Sequence, residues 1–197
     1  MDHAHDDTAA SPAHRVRVVE QLLEDAGVVT GAELDEFLDR LPATSSPANG
    51  ARIVARAWTD PAFRRRLLDD GNAAIAELGF AVGGGPAVVL RAVKNTESDH
   101  NVIVCTLCSC YPLALLGPSP SWYKSEAYRS RVVRDPRGVL AEFGFFPPDD
   151  VSIKVWDANA ETRYLVIPRR PAGTDGLDEA ALAGLVTRRG LIGTAPV

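Results

Sequence analysis

Three cysteines fall within six consecutive residues, and they are the only cysteines in this 197-residue chain: Cys105, Cys108 and Cys110. The preceding residues, 101–104, form a largely apolar, β-branched run that predicts a buried strand. Tyr111-Pro112 and a loop rich in proline and glycine follow. The sequence therefore predicts a tight turn at a strand end, where thiols and backbone groups converge on one point.

Three kinds of chemistry fit these cysteines. A structural zinc site needs four ligands, usually in two separated pairs, and the nearest histidine here is His100. A dithiol redox pair would use Cys105 and Cys108 and leave Cys110 unexplained. In a claw, the three thiolates would hold one ion together with the amide nitrogens of Ser109 and Cys110. A peptide N–H is a very weak acid, so such a claw favours a trivalent transition ion. Metal binding is the favoured interpretation, and a redox pair or simply buried thiols remain open.

The composition is that of an ordinary globular protein. Hydrophobic residues make up 46% of the chain and charged residues 24%, with a net charge of −5. This mild acidity gives no reason to expect nucleic acid or a membrane as a partner. No apolar run reaches membrane-spanning length, and no signal-peptide pattern opens the chain. Free cysteines without a paired framework favour the cytoplasm.

The pattern divides the chain into three parts: a disordered tail at 1–13, a helical N-terminal arm at 14–48 and a metal-binding catalytic domain at 49–197. Thr30 and Glu33 form a predicted capping box at the start of the second arm helix. Pro42 to Gly50 is interpreted as a linker, because it is rich in proline, serine and alanine. A two-helix arm has little core of its own, so we expect it to pack on another chain.

The remainder predicts an α+β fold. Helical segments, two of them starting at Asp-Pro pairs, alternate with four short strands at 88–93, 102–105, 151–155 and 164–167. The expected architecture is the helical arm followed by a layered α/β globule with a small sheet beside the cysteine claw.

The segment Val104–Pro112 resembles the metal claw of the nitrile hydratase α subunit. The resemblance covers nearly the whole chain from about His14 onward. It is carried by further segments outside the claw: Asn49-Gly50-Ala51-Arg52, Ala55-Arg56-Ala57-Trp58, Ser121-Trp122-Tyr123-Lys124, Tyr128-Arg129-Ser130-Arg131, Val155-Trp156-Asp157, Glu161-Thr162-Arg163-Tyr164 and Arg170-Pro171-Ala172-Gly173-Thr174. The γ subunit of thiocyanate hydrolase is similar and shares the claw.

This resemblance implies a non-corrin Co(III) or a non-haem Fe(III) held by Cys105, Cys108, Ser109 and Cys110. In the family, threonine at the second claw position goes with cobalt, so Thr106 implies Co(III), with Fe(III) the less favoured ion. The resemblance also implies that Cys108 is a sulfinate and Cys110 a sulfenate, successive stages of cysteine oxidation. Cys105 would remain an axial thiolate.

The implied reaction is hydration of a nitrile to an amide, with Cys110, Cys108 and Ser109 as the catalytic residues and the metal as Lewis acid. Either activated water or the sulfenate oxygen would attack the nitrile carbon. The implied partners are one or more β-type subunits, which supply two arginines in the family, and a cobalt activator protein. The alternatives are a thiocyanate hydrolase γ-type subunit and a non-catalytic module that binds or delivers cobalt.

The chain departs from the family pattern at Leu113-Ala114, where relatives usually have Trp-Pro and the tryptophan lines the substrate pocket. Leucine is smaller than an indole, so the change predicts a larger pocket lined by Leu113 and Ala114. A heteroaromatic nitrile carrying a sugar would then fit, as in a toyocamycin-type nucleoside nitrile hydratase. Arg163 and Arg170 are candidates for balancing charge near the claw.

Overall fold

A computed structural model of the chain describes residues 12–83, 87–108 and 110–197, without the side chains of 12, 13 and 37–43. Contacts divide the chain into two compact units, Met1–Ala43 and Thr44–Val197. The predicted tail lies outside the described residues as far as residue 11, and so does Ser109 of the claw.

The first unit contains helix α1 at Pro12–Asp25 and all but the last residue of helix α2 at Gly31–Thr44. The predicted capping box is confirmed: the Thr30 amide donates to Glu33 Oε2 at 2.9 Å, and the Glu33 amide donates to Thr30 Oγ1 at 3.2 Å. Six large apolar side chains among the described residues of this unit are exposed: Val16, Val18, Val19, Leu22, Leu23 and Val28. An exposed apolar stripe on a short helical pair is typical of a surface that another element covers.

The second unit has eight helices among the described residues: α3 Pro47–Thr59, α4 Pro61–Asp69, α5 Gly71–Ala76, α6 Leu113–Leu116, α7 Glu126–Arg131, α8 Pro136–Glu142, α9 Glu179–Leu185 and α10 Arg188–Ile192. A 3₁₀ turn covers Ser121–Lys124. None of the helices in the described ranges is long and apolar enough to cross a membrane.

The predicted linker from Pro42 to Gly50 is wrong. Helix α2 continues to Thr44, and α3 begins at Pro47, so only two residues separate them. The Ser46 hydroxyl accepts from the Ala48 amide, and Pro47 occupies the first turn. The serine and proline that suggested a flexible segment are therefore the start signals of a helix.

Four strands form two parallel pairs: β1 Val89–Lys94, β2 Asp99–Val104, β3 Ser152–Asp157 and β4 Thr162–Ile167. Strand β1 pairs with β4, and β2 pairs with β3. Only four residues separate β3 from β4, yet these neighbours in sequence join different pairs. Long connections join the paired strands, as parallel pairing requires, and helices α6 to α8 lie between β2 and β3. The mixed α+β fold with a small sheet is confirmed.

The core of this unit lies between α3 and the strands. Ile53, Val54 and Ala57 of α3 are fully buried, as are Val102 and Leu165 of the strands. The helix is also fixed by a long-range hydrogen bond, because Trp58 Nε1 donates to the Pro168 carbonyl at 2.8 Å. Burial of this apolar face gives β2 a rigid position.

A buried polar network crosses the end of the sheet at which β2 begins. Trp156 Nε1 donates to Asn101 Oδ1 at 2.7 Å, and Asn101 Nδ2 donates to Asn95 Oδ1 at 2.9 Å. The His100 ring bonds Asn95 Nδ2 at 3.1 Å and the Gly193 carbonyl at 2.7 Å. A carbonyl only accepts, so Nε2 carries the proton and Nδ1 accepts. Burial lowers the pKa of His100, which keeps the ring neutral within this network.

Gly193 offers a test of how tightly this end of the sheet is packed. Its φ is +90°, and a Cβ would lie 1.9 Å from the Asn101 carbonyl oxygen. We expect Gly193→Ala to lower the free energy of unfolding by about 4 kcal/mol or more. Gly144→Ala is the control, because its φ of +76° is also positive but nothing lies within 4 Å, so about 1 kcal/mol is expected. The free energies of unfolding are measured by urea denaturation. Equal decreases in Gly193→Ala and Gly144→Ala would contradict the predicted clash.

Candidate metal centre

The three cysteines come together at the carboxyl ends of β2 and β3. Cys105 follows β2 directly and is fully buried, whereas Cys108 is exposed and Cys110 is partly buried. The Sγ atoms of Cys105 and Cys108 lie 3.3 Å apart, and those of Cys108 and Cys110 lie 3.2 Å apart. All three sulfur atoms fall within 4.8 Å of one another. The turn predicted from the sequence therefore brings three donor atoms to one point.

The sulfur spacing is compatible with three thiolates on one metal ion. At a metal–sulfur bond of about 2.3 Å, tetrahedral ligands lie about 3.8 Å apart, whereas ligands at right angles lie about 3.3 Å apart. The measured 3.3 and 3.2 Å match the right angle. No fourth histidine, cysteine or carboxylate joins this group in the part of the chain that the structure describes. The cluster thus offers three sulfur donors, one fewer than the four protein ligands of a structural zinc site.

Asp157 anchors the start of the cysteine turn. It is the last residue of β3 and pairs in register with Val104 of β2. One of its carboxylate oxygens accepts from the Thr106 amide at 2.9 Å, and the other accepts from the Thr106 hydroxyl at 2.5 Å. Parallel pairing of two strands therefore delivers a carboxylate to the residue that follows the first cysteine.

We expect Asp157→Ala to weaken metal retention about tenfold, the usual effect of removing a residue that orients ligands. Asp99→Ala is the matched control, since Asp99 lies at the opposite end of the same strand pair and bonds Lys154 at 2.9 Å. The measurement is cobalt per chain after exposure to a chelator. Equal cobalt contents in the two variants would show that Asp157 does not support the cluster.

Two further side chains hold the carbonyl groups of the turn. The Tyr123 hydroxyl donates to the Cys110 carbonyl at 3.1 Å, and Arg129 Nη1 donates to the Cys108 carbonyl at 3.1 Å. Tyr123 is buried and packs edge-on against Tyr111, with ring centroids 4.9 Å apart. The 3₁₀ turn and α7 thus hold the carbonyl groups of Cys110 and Cys108.

Burial raises the pKa of the Cys110 thiol to about 12; the hydrogen bond with Cys108 acts in the same direction, and the Arg163 charge opposes it. A reactive or redox-active cysteine needs the opposite, a lowered pKa that yields thiolate at neutral pH. A metal ion bound by Cys110 would stabilise its thiolate and so oppose this effect of burial.

A cavity of about 410 Å³ adjoins the cluster. Eight residues line it: Cys108, Cys110, Tyr111, Leu113, Pro118, Ser119, Lys124 and Arg163. Its volume lies within the range of small-molecule sites. Leu113, which is 38% exposed, is part of its wall. Ala114 does not line this cavity, and its carbonyl accepts from Asn49 Nδ2 at 2.9 Å. Arg163 lies at the cavity, whereas Arg170 bonds Thr174.

A second cavity, of about 550 Å³, lies at the other end of the strands, beside His100 and Phe145. It contains none of the three cysteines, and both ring nitrogens of His100 are already hydrogen-bonded within the network described above. The larger cavity therefore lacks the reactive groups that the smaller one has.

Sequence reasoning identified the cysteine cluster but missed Asp157, Tyr123 and Arg129 as supports of the turn. Each is separated from its partner by 13 to 51 residues. No local pattern marks these three residues, because each contact depends on which strands and helices meet in the fold.

Comparisons with known proteins agree with this site. The sequence model of the family "Nitrile hydratase, alpha chain" matches residues 10–195. The low-molecular weight cobalt-containing nitrile hydratase subunit alpha of Rhodococcus rhodochrous is 50% identical over 183 residues, which cover 93% of this chain and 87% of the relative. The thiocyanate hydrolase subunit gamma of Thiobacillus thioparus is 46% identical over 161 residues, covering 77% of this chain and 66% of the relative.

The fold also has a close counterpart among solved structures. A double mutant of the Fe-type nitrile hydratase from Comamonas testosteroni Ni1 matches with a TM-score of 0.88 and 43% identity, covering 93% of this chain and 89% of that one. The resemblance inferred from the claw and its flanking segments is therefore confirmed over nearly the whole length of the chain.

Proposed function

The chain belongs to the nitrile hydratase α-chain family, and from this premise we propose that it is the metal-carrying subunit of a hydro-lyase that converts a nitrile to the corresponding amide. The observation that carries the proposal is the convergence of three Sγ atoms at 3.2 to 3.3 Å beside a cavity. In the reaction one water is consumed, a C–O bond forms, and the nitrile nitrogen gains two protons.

Cys105, Cys108 and Cys110 would hold the ion by sulfur, with the amide nitrogens of Ser109 and Cys110 completing the set. When bound, a trivalent ion supplies Lewis acidity toward water or the nitrile. Co(III) is preferred over Fe(III), because Thr106 occupies the position at which the family distinguishes the two metals. The cobalt-containing Rhodococcus relative supports this preference, and the Fe-type structural match keeps iron as the alternative.

We assign the oxidised cysteines as Cys108 sulfinate and Cys110 sulfenate, which add two oxygen atoms and one, taken from an oxygen-derived oxidant. Cys105 remains a thiolate, in keeping with its complete burial. Cys108 and Cys110 both line the cavity and so face the substrate, and Ser109 between them is the third proposed catalytic residue.

The substrate proposed for this cavity is a bulky heteroaromatic nitrile, such as a nucleoside nitrile. Leu113 and Pro118 provide apolar walls for a ring, whereas Ser119 and Lys124 provide polar groups for hydroxyl or ring-nitrogen acceptors. Leucine in place of the family's tryptophan leaves room for the larger ring.

A β-type subunit is the proposed partner. Leu107 in the cysteine turn is 84% exposed, an unusual position for an apolar side chain at a reactive site. The first unit separately exposes Val16, Val19 and Leu22. Co-expression of the chain with β-type subunits should give a hetero-oligomer in light scattering, and Leu107→Asp should weaken it. Monomers alone in the wild type would contradict the partner proposal.

One experiment tests the metal chemistry as a whole. Mass spectrometry of the peptide that contains residues 105–110, together with elemental analysis, should show three added oxygen atoms and one cobalt per chain. Assay of the same sample should show amide release from a nitrile. Iron without cobalt would overturn the metal assignment, and absence of amide formation by the cobalt-loaded assembly would overturn the proposed activity.

The second candidate function is a thiocyanate hydrolase γ-type subunit, favoured by the 46% identity to such a subunit. The two activities differ in product, since thiocyanate would yield carbonyl sulfide and nitriles would yield amides. A third candidate is a module that binds or delivers cobalt without catalysis, and unoxidised cysteines with zinc bound would favour it. Cobalt delivery by an activator protein and a cytoplasmic location stay predictions.

A further inference from the structure

We propose that Arg129 is a positioning residue for the metal cluster: it holds the Cys108 carbonyl and offsets the negative charge that the Cys108–Ser109 peptide acquires when its nitrogen binds the metal. This inference rests on the proposed metal centre. It concerns a residue of helix α7, 21 positions from the cysteine whose carbonyl it contacts.

The contact is held from a rigid base. The Ser125 hydroxyl caps α7 by accepting from the Tyr128 amide, and the Tyr128 hydroxyl donates to the Ile103 carbonyl of β2 at 2.7 Å. Tyr128 is buried, so the turn of helix that carries Arg129 is tied to the strand that ends at Cys105. Arg129 Nη1 then reaches the Cys108 carbonyl at 3.1 Å.

The guanidinium is only partly satisfied by the chain. Arg129 Nε is buried and has no hydrogen-bond partner among the residues that the structure describes. A buried N–H without a partner costs free energy, so this N–H does not by itself stabilise the fold. A guanidinium with an unused N–H beside the cysteine turn can stabilise a negative charge that arises there.

Peptide resonance identifies where that charge arises. When a peptide nitrogen exchanges its proton for a metal ion, part of the negative charge passes to the carbonyl oxygen of the same peptide group. For the Ser109 nitrogen this oxygen belongs to Cys108, the atom that Arg129 contacts. A hydrogen bond from a cation to a charged acceptor is roughly twice as strong as one to a neutral acceptor. The Tyr123 hydroxyl contacts the Cys110 carbonyl instead, which belongs to a peptide outside the proposed ligand set.

The test loads the full-length chain with cobalt(II) in air and measures cobalt per chain by elemental analysis after exposure to a chelator. We expect Arg129→Met to retain about tenfold less cobalt than the wild type, and Arg129→Lys to retain an intermediate amount. Arg131→Met is the matched control, since Arg131 lies on the same helix but pairs with Glu142 at 2.6 Å; it should retain the wild-type amount. Thermal unfolding before loading should give midpoints within about 3 °C for all four proteins.

Three results would overturn the proposal. The first is wild-type cobalt retention by Arg129→Met. The second is loss of cobalt in proportion to a lower unfolding midpoint before loading, with no rescue by lysine, because this is the pattern of a purely structural role. The third is a wild-type chain that binds no cobalt at all, a result that would overturn the proposed metal centre and this inference with it.

Discussion

Replacement of Cys105, Cys108 or Cys110 by alanine is expected to reduce cobalt from one ion per chain to less than about a tenth, with loss of hydration activity to the same extent. Each substitution removes an anionic ligand from a cluster in which neighbouring sulfur atoms lie 3.2 to 3.3 Å apart. Cys108→Ala is the clearest case, because Cys108 is exposed and its removal leaves the apolar core intact.

Ser109→Ala is the control within the same turn. Alanine keeps the backbone nitrogen that we propose as a ligand and removes only the hydroxyl, so cobalt retention should stay at the wild-type level. Elemental analysis measures the metal, and thermal unfolding before loading identifies variants that fail to fold. A folded cysteine variant with full cobalt and full activity would rule out the claw.

The sequence made the cluster predictable because its signal is local. Three cysteines in six residues after a β-branched run place the thiols on one turn, whatever the rest of the fold does. The capping box at Thr30 and the Asp60-Pro61 helix start were predictable for the same reason. Ser46 and Pro47 are an equally local signal for the start of a helix. Serine and proline are also common in linkers, and the prediction of a linker at this position was wrong.

Long-range pairing set the limit of sequence reasoning. Only the parallel pairing of β2 with β3 brings Asp157 to Thr106, and no local pattern determines which strands pair. Arg129 reaches the Cys108 carbonyl because Tyr128 ties α7 to β2. Tyrosine and arginine in a short helix carry no sign of such a role.

The cavity wall shows the same limit on a smaller scale. Leu113 and Ala114 are adjacent and were predicted together as pocket residues, yet only Leu113 lines the cavity. Both residues belong to the short helix α6, in which successive side chains point about 100° apart. The sequence analysis did not predict helix α6, and it therefore did not predict that the side chains of Leu113 and Ala114 point in different directions.

Leu113→Trp is expected to reduce kcat/KM for a cyano-nucleoside by about 100-fold and for acrylonitrile by no more than about threefold. Leu113 forms part of the wall of a cavity of about 410 Å³ that also contains Cys108 and Cys110. An indole there would occupy the space proposed for the heteroaromatic ring, whereas a three-carbon nitrile does not need that space. The specificity constants are measured on the enzyme assembled with its partner subunits.

Leu113→Met is the matched control, because it nearly conserves volume and should change both constants little. Cobalt content is measured in all variants. Wild-type cobalt together with a lower kcat/KM indicates a narrowed pocket, whereas loss of cobalt indicates a damaged metal site. Wild-type enzyme that ignores the cyano-nucleoside, or equal losses for both substrates in Leu113→Trp, would show that the cavity wall does not select the substrate. Residues of a partner subunit would then select the substrate. Variants of that subunit, assayed with the same two nitriles, would identify those residues.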